Sequence, residues 1–235
     1  MKMNLYSCFI VIIILSINVA VADYGGMGSG GGKALVCFDS EYVADHVRNN
    51  DGTIPSSLLG RITHLETFDL YYSKIVNGPK HVMTADKDES YHMFFNRIME
   101  KIQEKGPFFA RDILKSRKTL NDRIISFKNA PVDQTFDENY TGEMLLDVCS
   151  MTNIAVQKWD ESVKGFRMHI DMRLFTHELF SEESKAILLL HEYLYFIARN
   201  KGETNSKSTR VLISAIMSED PQVDLRSSIA NFQYE

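Results

Sequence analysis

His191 and Glu192 are the residues whose types and spacing most plainly suggest chemistry. They stand side by side in Ala186–Ala198, where eleven of thirteen residues are apolar or aromatic. A helix apolar on nearly every side belongs in the centre of a domain. A His-Glu pair inside one invites comparison with the His-Glu-x-x-His helix of zinc peptidases, where the histidines bind metal and the glutamate is the general base. Here Tyr195 occupies the position of the second histidine. Tyr195 lies one turn beyond His191 on the same face. A catalytic reading therefore uses His191 as a metal ligand and candidate catalytic residue, with Glu192 polarising water and zinc as the cofactor. The competing reading makes His191 a core histidine with both ring nitrogens hydrogen-bonded. On a helical wheel Glu192 falls in line with Lys185 and Arg199, and this reading turns that polar stripe to solvent.

Other histidines extend neither reading on spacing alone. His169 and Asp171 share one face of a strand, and His177-Glu178 repeats the pair in a loop; exposed polar surface accounts for both. No Gly-x-Ser-x-Gly elbow is present. The Gly-rich run ending at Lys33 lacks the residues of a phosphate-binding loop, having Met27 and Ala34 where Gly and Ser/Thr are needed. No residue is therefore assigned to cofactor binding outside the zinc reading. Ser206, Ser208 and Arg210 open a helix, where serine is expected as a cap. Arg111, Lys115, Arg117, Lys118, Arg123 and Lys128 form a basic stretch against only Asp112 and Asp122. A solvated helix face accounts for it, and an anionic envelope surface is the alternative partner.

The elements that must position these residues follow from local pattern. Lys2, the apolar run Cys8–Val21 and the small-x-small Ala20-Val21-Ala22 read as an export signal over residues 1–22. Residues 23–33 read as a flexible Gly-rich spacer, and residues 34–235 as one domain. Removing residues 1–22 takes away Lys2 alone and moves the formal charge from −5 to −6, which argues against nucleic acid as a partner. No later segment is long and apolar enough to span a membrane. Cleavage leaves Cys37 and Cys149, a disulfide candidate in an exported chain.

Strands are expected near 33–38, 61–65, 123–128, 151–159 and 166–172. The last is marked by strict alternation of Phe166, Met168, Ile170 and Met172 with charged residues. Helices are expected over 66–76, from Tyr91 to Gly106, from Pro107 through Leu120, from Ser181-Glu182-Glu183 to Gly202, and last over 206–218. Residues 45–60 read as turns, and 129–142 as an acidic loop with a glycosylation sequon at Asn139. The interleaving lacks a β-α-β rhythm, so the fold expected is α+β: a small antiparallel sheet packed with several helices, including the buried His-Glu helix.

The order of Gly-rich spacer, Leu35-Val36-Cys37 strand, Cys149 ahead of Val156-Gln157, Leu188-Leu189-Leu190-His191-Glu192-Tyr193-Leu194-Tyr195 and Gly202-Glu203-Thr204-Asn205-Ser206 resembles a group of exported proteins of predatory and related Gram-negative bacteria. The likeness is clearest over 183–218 and 33–38 and thin between 77 and 145. Residues 39–60 look like extra sequence where such proteins often have a tight hairpin. The resemblance implies export and a shared domain, and no reaction. Together these readings describe a periplasmic or secreted protein, non-enzymatic and binding or envelope-associated, with a metal-dependent hydrolase built on His191-Glu192-x-x-Tyr195 as the alternative.

Overall fold

The computed structural model describes residues 31–133 and 147–234. Residues 1–22, read as an export signal, most of the spacer and Asn139 lie outside the described residues.

Strand β1 (Gly31–Phe38) lies between β2 (Ile62–Thr67) and β4 (Cys149–Asp160), antiparallel to both. β4 continues antiparallel into β5 (Gly165–Asp171), and β3 (Ile124–Phe127) closes the edge parallel to β5. The order is β2-β1-β4-β5-β3. The α+β class holds, but the β3–β5 pair makes the sheet mixed rather than antiparallel. That pair is parallel because β3 reaches the edge from helix α4, without a hairpin to reverse it.

Alternation along β1 divides its side chains between two faces. Ala34, Val36 and Phe38 join the main core, whereas Leu35 and Cys37 cluster with Cys149 on the other face. Cys37 and Cys149 are register partners across β1 and β4 and form a disulfide between positions 112 residues apart. β5 shows the expected half-buried pattern, with Phe166, Met168 and Ile170 buried.

The helices are α1 (Glu41–Asn49), α2 (Phe68–Asn77), α3 (Tyr91–Lys105), α4 (Pro107–Asn121), the short α5 (Met172–Phe175), α6 (Glu182–Asn200), α7 (Lys207–Met217) and α8 (Leu225–Tyr234). Ser90 and Ser181 cap α3 and α6, accepting from the amides of Met93 and Ser184. Gly106-Pro107 separates α3 from α4. α6 packs against α2, α3, α4, α7 and strands β1, β2 and β4, which is why it is apolar nearly all round.

Three expectations are corrected. Residues 41–49 form α1, with Val43, Ala44 and Val47 buried, and the turn residues that follow end it: Asp51 and Gly52 take φ of 56° and 78°. The helix over 206–218 is not the last, since Asp224 accepts from the amides of Arg226 and Ser227 at the start of α8, which buries Leu225, Ile229 and Phe232. The spacer ends early: Gly31, Gly32 and Lys33 pair with β4 as part of β1.

Candidate functional site at the buried His-Glu helix

Asp69 enters α2 immediately after β2, His191 stands mid-way along α6, and Arg210 lies in α7. The three helices converge so that His191 Nδ1 is 2.9 Å from Asp69 Oδ2 and Arg210 Nε is 3.7 Å from Asp69 Oδ1. Their side chains are 1 %, 2 % and 4 % exposed. The Arg210 guanidinium also lies over the Phe68 ring, 4.9 Å from its centroid. Burial works against the His191 cation, but the adjacent Asp69 carboxylate prevails and raises its pKa. Burial likewise opposes the Asp69 anion, and His191 with Arg210 holds its pKa below the usual carboxylate range.

Glu192 faces a separate set of partners. Its Oε1 accepts from the Gly32 amide at 2.6 Å and its Oε2 from Gln157 Nε2 at 2.9 Å. Gln157 Nε2 also reaches the Glu192 carbonyl at 2.6 Å. The residue is 0 % exposed. Burial raises its pKa, outweighing His191 and the two hydrogen bonds that favour the anion. The solvent-facing placement of Glu192 is therefore corrected: its carboxylate faces β1 and β4. Arg199, on the same stripe, donates to the Gln157 carbonyl at 2.9 Å.

His191 is the buried histidine expected, with one difference. Nδ1 is spent on an ion pair, and Nε2 has no hydrogen-bond partner among the described residues. Tyr195 shares the face of His191, their ring centroids 6.0 Å apart, but its hydroxyl donates to the Thr204 carbonyl at 3.4 Å. His169 packs on Phe127, Asp171 pairs with Arg173, and His177 contacts the Leu59 carbonyl and the Leu179 amide. None of those four contacts includes His191 or Glu192. Ser206 stands at the N-cap of α7 without a side-chain capping bond.

A metal fits this site poorly. Among the described residues no group of three or more His, Cys, Asp or Glu side chains is placed to hold one. The Asp69–His191 pair supplies two donors, and the third charged group against it is the Arg210 cation, which repels a metal ion. Glu192 is already committed to an amide N–H and a carboxamide. Asp69 is the residue that sequence reasoning missed. Its one local signal is an acid between Phe68 and Leu70 at the start of a helix.

Comparison of the chain with protein-family models, curated proteins and solved structures finds no match to any of the three.

Proposed function

We propose that this chain is an exported binding domain, acting in the periplasm or outside the cell, in which the His-Glu helix is architecture and not a catalytic centre. One observation carries the reading: His191 and Glu192 are 1 % and 0 % exposed and are spent on internal partners. General acid–base or metal chemistry needs such groups within reach of a substrate. The Cys37–Cys149 bridge suits an oxidising compartment. Among the described residues no helix is long and apolar enough to cross a membrane. The likeness to exported proteins of Gram-negative bacteria points the same way, and the basic stretch on α4 suits association with an anionic envelope.

The test is elemental analysis of mature protein purified without chelator, beside His191→Ala. The reading expects no bound transition metal in either protein, before or after titration with zinc. Near-stoichiometric zinc that disappears in the variant would overturn it in favour of a hydrolase. Export is tested by expressing the full chain in a Gram-negative host, where protein beginning at Asp23 is expected outside the cytoplasm. Full-length protein retained in the cytoplasm would overturn that part.

A further inference from the structure

A cleft of about 330 Å³ opens between α3, α4, β3, β5, α5 and α6, where Leu189 and Tyr193 form the α6 wall. Its walls are largely apolar, with Phe95, Ile170, Met172, Phe175 and Leu189 among them. Several rings are held in place by edge-on packing. Phe95 meets Tyr193 at 89° and 5.7 Å, and Phe175 meets Tyr91 at 85° and 6.0 Å. The volume and lining are those of a small-molecule site rather than a packing defect.

The polar groups at the cleft carry one chemical sense. Among the described residues no Asp or Glu lines it. The Arg117 guanidinium sits over the Phe95 ring at 5.0 Å, and among the described residues no carboxylate pairs with it. The Tyr193 hydroxyl donates to Asn121 Oδ1 at 2.9 Å, which leaves the Asn121 amide N–H groups as donors. Burial pushes the Tyr193 pKa up to about 12, so this hydroxyl keeps its proton and the Asn121 orientation is maintained at neutral pH. His92 stacks on Tyr91 at the same rim, with centroids 3.9 Å apart. Arg111 and Lys118 on the same helix add positive charge, while Lys115 pairs with Asp112.

We propose that this cleft binds a small organic carboxylate with an apolar body, the body lying against Phe95, Phe175 and Leu189 and the carboxylate held by Arg117 and the Asn121 amide. Arginine suits the role because its planar fork matches a carboxylate and stacks on an aromatic face at once. The assignment rests on the binding-domain reading and gives it a ligand class.

Calorimetric titration of the mature protein with octanoate, 1-octanol and acetate tests it. Octanoate is expected to bind, with 1-octanol and acetate each weaker by about tenfold or more, the loss that follows from removing a charge-assisted contact or the apolar body. Arg117→Gln should weaken octanoate by a similar factor and leave 1-octanol unchanged. Because Arg117 packs on Phe95, Asn121→Asp provides a second variant. It keeps the Tyr193 acceptor but sets a carboxylate beside the anchor, and it should weaken octanoate in the same selective way. No octanoate binding, equal binding of 1-octanol, or octanoate bound by both variants as tightly as by the wild type would overturn the assignment. Metal content, which tests the binding-domain reading, is unaffected by any of these outcomes.

Discussion

The amide of Gly32 donates to Oε1 of Glu192 at 2.6 Å across 160 residues of chain. It joins the first strand to the middle of the central helix. The approach depends on glycine: a Cβ at position 32 would lie 2.1 Å from Leu188 Cδ1 and 3.0 Å from the same carboxylate oxygen. Gly32→Ala should therefore destabilise the protein by about 1–3 kcal/mol, the usual cost of overpacking a core. Gly60→Ala, where a new Cβ meets nothing within 4 Å, should stay within about 0.5 kcal/mol. Urea denaturation of the two variants makes the comparison, and equal effects would refute the strand–helix contact.

Glu192 predicts a contrast between two replacements. Glu192→Ala strands the Gly32 amide and the Gln157 carboxamide and leaves a cavity, at a cost of about 2–4 kcal/mol. Glu192→Gln preserves an acceptor for Gly32. Gln157 Oε1, which has no partner among the described residues, can accept from the new amide after a flip that gives up the Gln157 bond to the main-chain carbonyl of residue 192. The loss should therefore be about 0.5–1.5 kcal/mol, the net worth of one hydrogen bond. Thermal melts decide it: Gln as damaging as Ala would mean that the carboxyl group itself is required.

Truncating His191 leaves the buried Asp69 carboxylate with Arg210 alone, 3.7 Å away. His191→Ala is expected to cost about 3–5 kcal/mol, as when one partner of a buried pair is removed. Removing Asp69 as well should cost less than the sum of the two single losses. A double-mutant cycle measures this, and strictly additive effects would show that the 2.9 Å contact carries no coupling.

The same pair predicts a pH dependence. The folded-state pKa of His191 is raised above its ordinary 6.5, so its contribution is complete below that pH and is lost as pH rises through the folded value. Glu192 is raised above 4.5 and acts in the same direction. Asp69 is lowered, so its share is present above 3.8 and is lost only in stronger acid. His169 is lowered, chiefly by burial, and opposes the trend. The stability difference between the wild type and His191→Gln isolates the effect. It should shrink as pH rises above about 6.5, and a difference that grows with pH would contradict the raised value.

The Cys37–Cys149 bridge closes most of the domain. Thiol titration of denatured, unreduced mature protein should find no free sulfhydryl. Replacing both cysteines with serine should lower stability by about 2–5 kcal/mol. Two free thiols would remove the bridge and, with it, one support for export.

Much of the scaffold is legible in local sequence pattern. The burial of α6 follows from a surface apolar nearly all round, its start from Ser181, the α3–α4 break from Gly106-Pro107, and the face of β5 from strict alternation. Each of these signals is confined to a few neighbouring residues, where backbone geometry alone sets which side chains share a face. α1 and α8 are written locally too, as Val43-Ala44-Val47 and Leu225-Ile229-Phe232, but the turn residues beside them obscure the pattern.

What the residues around the His-Glu pair do is decided by tertiary structure alone. Helical spacing places Glu192 on a stripe with Lys185 and Arg199, but it carries no information about whether solvent or a strand lies opposite. β1 lies there, extended backward into glycines whose lack of side chains suits a spacer and a close contact equally well. In the same way nothing near His191 in the chain marks Asp69 or Arg210 as its neighbours. Those contacts exist because three helices converge in a medium that excludes water, where a charge must find an opposite charge wherever the fold brings one.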